Sequence, residues 1–235
     1  MSKQKDQQAL DVNNALATSE AMIIKYKKPI ITALAVVVIA VGGFFAYLYG
    51  YAKPHEDKAQ ELLGIGMQKY IAQQDFEHAL KGEGKTAGLL KIADEYSSTD
   101  AGNIACYQAG ICYYHQGKHA EAIKYLEKYS TCGDETVSAQ ALFTLGNCYA
   151  TTGKLDKAVD AFKDAAKATE VPALCAEYLF QAAQILESQK KNDEALALYQ
   201  EIKENYPDAP LCSRQQQGNV VLDAIIDKYI QRLSK

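Results

Sequence analysis

The chain has 235 residues, 48% of them hydrophobic and 23% charged, a balance that excludes wholesale disorder and a collagen-like fibre. Its net charge of −4 is unevenly spread: residues 1–28 hold five Lys against three acids, residues 29–52 hold no charge, and residues 53–235 carry 20 basic against 26 acidic groups, a net of −6. An acidic main body lacks the dense Lys/Arg surface that releases counterions from phosphate backbones, which excludes a nucleic-acid partner.

The first 28 residues open with the polar run KQKDQQ and read as a solvated tail. From Ile30 to Tyr51 the chain then runs 22 residues without a charge, IITALAVVVIAVGGFFAYLYGY. At roughly 1.5 Å per residue such a helix spans the hydrocarbon layer of a bilayer, about 30 Å thick. A transmembrane helix over 29–52, meeting lipid through residues 30–51, is therefore expected. Lys25, Lys27 and Lys28 precede it and Lys53, Glu56 and Asp57 follow, so the lysine excess puts the N-terminus in the cytoplasm and residues 53–235 outside. Tyr47, Tyr49 and Tyr51 suit the outer interfacial belt. A cleaved signal peptide is the rival, but the apolar run exceeds a signal core of roughly 7–15 residues and no A-x-A site follows.

Beyond residue 52 apolar residues recur at helical spacing in segment after segment, which predicts an all-α domain. Pro54, Pro172, Pro207 and Pro210 are expected where one helix gives way to another. Residues 106–129, CYQAGICYYHQGKHAEAIKYLEKY, align with residues 142–165, LFTLGNCYATTGKLDKAVDAFKDA, at an offset of 36. The alignment pairs Gly110 with Gly146, Tyr113 with Tyr149, Gly117 with Gly153, Ala122 with Ala158 and Leu126 with Phe162. A third copy, Leu179 to Ile202, follows at an offset of 37 with Ala195 and Tyr199 in register. A weaker first copy starts at Leu63, with Tyr70 in the place of Tyr113 and Asp75, Phe76 and Ala79 opening its second helix, then the insertion LKGEGKTAGLL.

Physical reasons can be given for each repeated residue. Gly110 and Gly146 remove a Cβ where two helices approach, Tyr113 and Tyr149 cover the gap a turn later, and Ala122, Ala158 and Ala195 seat the second helix on the first, with Phe162 and Tyr199 filling the space between. Gly117 and Gly153 turn the chain between helices. Such pairs bury their apolar stripes only by stacking, so the reading is an α-solenoid with repeats at about 60–100, 103–136, 139–172 and 176–209 and a cap over 211–235, in which NVVLDAIIDKYIQRL is expected to form one terminal helix. One place after the first large apolar residue of each copy stand Tyr107, Phe143 and Phe180, with Ile111, Tyr114 and Asn147 a turn further on. These six residues are the candidate protein-binding groove; the alternative is that the rings merely pack between adjacent first helices.

Each copy resembles the 34-residue tetratricopeptide repeat, whose order is large apolar, Leu, Gly, Tyr, Ala, aromatic, Ala and a closing Pro. Leu142, Leu145, Gly146, Tyr149, Ala158, Phe162 and Ala165 match it, and Glu170 stands at the closing Pro. The third copy departs with Ala183 for the Gly and Leu186 for the Tyr. With the apolar helix and the motif FEHALKGEGKTAG, the chain resembles membrane-anchored tetratricopeptide proteins related to the ancillary subunit of the bacterial Sec translocon. That resemblance implies a non-enzymatic adaptor in a bacterial inner membrane, its repeat domain in the periplasm, engaging secretion machinery, emerging polypeptides or periplasmic chaperones. A self-associating structural scaffold, a homo-oligomer, is the competing function.

Other chemistries find little support. Gly84, Lys85 and Thr86 end a P-loop-like string, but Ala79 stands where its first Gly belongs and DFEHAL before it is helical. Cys112, His115 and His119 have ligand-like spacing, yet the turn at Gly117 separates the histidines. No catalytic motif, cofactor site or metal site is expected. Of the six cysteines, Cys112 and Cys148 occupy one repeat slot and read as core thiols, whereas Cys132 and Cys175 are expected in inter-helix turns as disulfide candidates.

Overall fold

The computed structural model describes residues 27–29, 31–71, 73–131, 134–213, 215–217 and 220–234, and it divides into two units, Met1–His55 and Glu56–Lys235. In the first unit helix α1 covers 31–47 and exposes its apolar side chains, Val38, Ile39 and Phe44 among them. The helical stretch Lys27–Ile71 is long and apolar enough to cross a membrane. Pro54 does not end it, contrary to expectation. A π-helical turn, Leu48–Ala52, precedes the proline, and the Lys53 N–H donates to the Leu48 carbonyl, five residues back. The wider turn gives room for a ring that would otherwise strike the carbonyl four residues before it.

The second unit is built from helix pairs. Helix α2 (Lys53–Gly66) reaches this unit at Glu56 and buries Ala59, Leu63 and Gly66; a π turn, Met67–Ile71, follows with Tyr70 buried. Next come α3 (Phe76–Lys81), α4 (Leu89–Glu95), α5 (Asp100–His115), α6 (His119–Leu126), α7 (Glu135–Thr151), α8 (Leu155–Lys167), α9 (Pro172–Ser188) and α10 (Asn192–Asn205). Several starts are capped by short polar side chains, as orphan N–H groups require. Asp75 accepts from His78 N–H, Thr99 from Gly102 N–H and Asp134 from Thr136 and Val137 N–H. The Glu56 carboxylate adds two bonds at the start of α5, from Asp100 N–H (2.7 Å) and Ala101 N–H (3.1 Å).

Every first helix stops in the same way. Gln74, Gly117, Gly153 and Lys190 all have positive φ, at 58°, 71°, 76° and 61°. In each case the residue after it donates to the carbonyl five back, as Lys118 does to Tyr113 and Lys191 does to Leu186, the bond pattern of a Schellman turn. The repetition seen in side chains is thus also a repetition of backbone geometry, and it reaches the first copy, whose sequence match is weakest.

Packing inside the pairs follows the small residues. Ala122, Ala158 and Ala195 have no exposure, and Phe162 and Tyr199 are among the largest fully buried side chains. A Cβ added at Gly110 would lie 2.5 Å from Leu126 Cγ, and one at Gly146 would lie 2.8 Å from the Phe162 ring. Exposed ion pairs tie neighbouring repeats together: Lys128 with Asp94 at 3.2 Å, Lys157 with Glu127 at 3.8 Å and Lys191 with Asp156 at 2.8 Å. At about 0.2–1 kcal/mol each, they favour register more than strength.

The all-helical expectation needs two corrections. The insertion in the first copy folds as a hairpin, β1 (Gly82–Glu83) against β2 (Thr86–Ala87), between α3 and α4. The expected single terminal helix is instead a hairpin, β3 (Gln215–Gln217) against β4 (Val220–Leu222), followed by the shorter α11 (Ile225–Leu233). The β-branched Val220 and Val221 favour a strand, which outweighs the helical spacing of Val221 and Leu222.

Candidate functional site

Among the open and partly open positions of the first helices, one set at spacings of three and four runs along each helix. On α5 these are Ile104, Tyr107, Ile111 and Tyr114, all half-buried; on α7 they are Gln140, Phe143, Asn147 and Ala150; on α9 they are Glu177, Gln181, Gln184 and Ser188. Spacings of three and four keep each set on one helix face. The stripes lie side by side, since α5 contacts α7 and Phe143 stacks on Tyr178 of α9 with centroids 4.8 Å apart.

The aromatic rings of this face serve two purposes. Tyr107 leans on Tyr129 at 5.7 Å, and Phe143 bridges Phe162 at 5.5 Å and Tyr178, so both rings pack between helices while keeping part of their surface open. Burial raises the Tyr107 phenol, which stays neutral and able to donate a hydrogen bond. Tyr114 meets His115 and His119 edge-on. Ile111 and Asn147 are half-buried on the same face.

Phe180 departs from the expected groove. It is buried, its ring in contact with Tyr199 and, edge-on at 4.9 Å, with Tyr229 of α11. The terminal helix covers it, and the adjoining Glu187 is held by Arg232 at 2.7 Å and by the Tyr199 hydroxyl. On α9 the open positions are instead Glu177, Gln181 and Gln184. Ile104, Gln140 and Glu177 were legible in principle, because the repeat offsets of 36 and 37 carry one into the next.

The repeat-packing residues lie away from this stripe. Gly110, Gly146, Ala122, Ala158, Phe162, Ala195 and Tyr199 are in the interior. Tyr113 stacks on Tyr125, and burial together with donation to Glu127 drives the Tyr149 phenol upward.

Other candidate chemistries resolve into packing. Gly84 and Lys85 form the turn between β1 and β2. A cavity of about 630 Å³ opens beside them, but of its lysines Lys58, Lys81 and Lys91 pair with Glu61, Glu77 and Glu95. His115 stacks on Phe76, and among the described residues no group of three or more His, Cys, Asp or Glu side chains is placed to hold a metal. Cys175 is not in a turn and is not bridged: it is a free, buried thiol in the first turn of α9, donating to the Thr169 and Ala166 carbonyls. Cys132 lies outside the described residues. Burial raises the Cys112 thiol to about 12 and the Cys148 thiol to about 11, so neither is a thiolate at neutral pH. Nothing among the described residues points to catalysis.

Tetratricopeptide-repeat profiles match residues 143–210 and 100–170. No curated protein matches the sequence. Among solved structures, the crystal structure of MamA protein is similar at 19% identity, over 74% of this chain and 87% of that one, with a TM-score of 0.50. A crystal structure of nearly identical TPR-like repeats from Podosopora anserina is similar at 13% identity, over 76% of this chain and 86% of that one, also with a TM-score of 0.50. Both likenesses concern the fold. Residues 100–210 of this chain match tetratricopeptide-repeat profiles, and repeats of this kind imply a role in binding other proteins.

Proposed function

We propose that the protein is a membrane-anchored, non-enzymatic adaptor: a cytoplasmic tail (1–28), a transmembrane helix (29–52) and an extracytoplasmic repeat domain (53–235) that grips partner polypeptides on the first-helix face. The observation that carries this reading is the coexistence of an uncharged helix whose apolar side chains are exposed with repeats whose first helices expose Tyr107, Ile111, Phe143 and Asn147. An exposed stripe of Val, Ile and Phe is costly in water and at home in lipid. Tethering in the plane of a membrane raises the effective concentration of the face near membrane partners, so weak contacts suffice. By resemblance, secretion machinery, emerging polypeptides and periplasmic chaperones are the partner classes that fit.

The test has two arms. A reporter active only outside the cytoplasm, fused after Lys235, is expected to be active, and carbonate washing is expected to leave the full chain in the membrane. An inactive reporter or release by carbonate would overturn the anchored reading.

A further inference from the structure

Helices α5, α7 and α9 differ from their partners α6, α8 and α10 in lacking Lys and Arg, although both sets are net acidic. The first helices carry Asp100, Glu135, Glu177 and Glu187. The second helices α6, α8 and α10 carry Lys124, Lys157, Lys163, Lys167 and Lys203 interspersed among eight Asp and Glu residues. A face without a cation has nothing with which to grip the carboxylates of an acidic peptide or of a chain terminus.

Within the face the chemistry also changes from end to end. Helix α5 offers Ile104, Tyr107, Ile111 and Tyr114; α7 offers Phe143 with Gln140 and Asn147; α9 offers Gln181, Gln184 and Glu177. Glu187 is already occupied by Arg232, whereas Glu177 is exposed. The Gln and Asn amides of the middle can bond the backbone of an extended segment without regard to its sequence.

We infer that the first-helix face receives a basic-and-apolar polypeptide segment, its large aliphatic or aromatic side chains lying over α5 and its Lys or Arg lying toward Glu177 of α9. This rests on the adaptor reading and names the chemistry of its client. Apolar burial on α5 supplies affinity, and the carboxylate of Glu177 selects sign and direction. Acidic segments are rejected because they would bring like charge to a face with no counter-cation.

The experiment uses the full chain in nanodiscs of zwitterionic lipid, with empty nanodiscs subtracting peptide–lipid partition. Three fluorescent peptides share four Leu/Phe positions and differ at two others, which are Lys, Gln or Glu, and binding is read by anisotropy. The Lys peptide is expected to bind about tenfold or more tighter than the Glu peptide. Glu177→Gln is expected to shrink the Lys-over-Gln preference by about threefold or more. Ile111→Asn is expected to weaken all three. Glu177→Gln is an isosteric change at an exposed site, so the test survives should the Ile111 variant misfold.

Equal or tighter binding of the Glu peptide, or a preference untouched by Glu177→Gln, overturns the proposal. If no peptide binds while a photo-crosslinker at Ile111 still traps a partner in cells, the client chemistry is wrong and the adaptor reading stands. If both fail, both readings fall.

Discussion

Lys190 occupies a slot that two sibling repeats fill with glycine, and its φ of 61° lies where a Cβ crowds the following carbonyl. Replacing it tests the shared turn directly. Lys190→Gly is expected to raise stability by about 0.5 kcal/mol, relief of strain outweighing the extra freedom of the unfolded chain. Gly153→Lys is expected to lower it by about 1 kcal/mol. Urea titrations of the full chain in detergent, followed by circular dichroism, check both, and opposite signs at the two positions are the discriminating result.

Gly146 makes the complementary point about space. Its Cβ would meet the Phe162 ring at 2.8 Å, so Gly146→Val should cost about 1–3 kcal/mol in the same titration. Only glycines announce such constraints in a sequence. That is why Gly117 and Gly153 were legible as turns while Gln74 and Lys190, in the same geometry, were not.

The buried thiols give a pH dependence. For Cys112 and Cys148 burial lifts the folded value from 9.0 to about 12 and about 11, so the neutral form fits the core and the thiolate does not. Folded values above unfolded ones mean that this contribution is whole below about pH 9 and is lost as pH rises through 11 to 12. Melting temperature should therefore fall from pH 9 to 11, less steeply in Cys148→Ala. A flat profile in the native chain would contradict the burial.

Among the elements, α11 is short but holds the end of the stack. Tyr229 meets both Phe180 and Tyr199, and Arg232 holds Glu187. Tyr229→Ala should cost about 2 kcal/mol and speed hydrogen exchange in α9 and α10 with little change in α5. The start of this cap escaped the sequence reading for an identifiable reason. Val221 and Leu222 fit a helical spacing while Val220 and Val221 favour a strand, and the choice is made by pairing with Gln215–Gln217, which helical periodicity does not register. The insertion after Lys81 was legible as an interruption of the first repeat but not as a hairpin, since two-residue strands carry no periodicity.

Across the whole molecule, what the sequence made legible is what repetition amplifies. Ala122, Ala158 and Ala195 recur because each pair of helices poses the same packing problem, and the recurrence separates them from chance. The candidate face was harder. Tyr107, Ile111, Phe143 and Asn147 are partly open, but Phe180, the counterpart of Tyr107 and Phe143 in the last copy, is sealed by α11 because an end repeat meets a cap where inner repeats meet a sibling. Periodicity reports a register position; what covers it depends on neighbours the period does not encode.

In the proposed adaptor, the first-helix face is the surface that meets other proteins. Site-specific photo-crosslinking of the full chain in living cells compares Ile111 and Asn147 on that face with Asp160 and Lys163 on the second helix α8. Discrete adducts from Ile111 and Asn147, with none from Asp160 or Lys163, are the result predicted; adducts confined to Asp160 and Lys163 would contradict it.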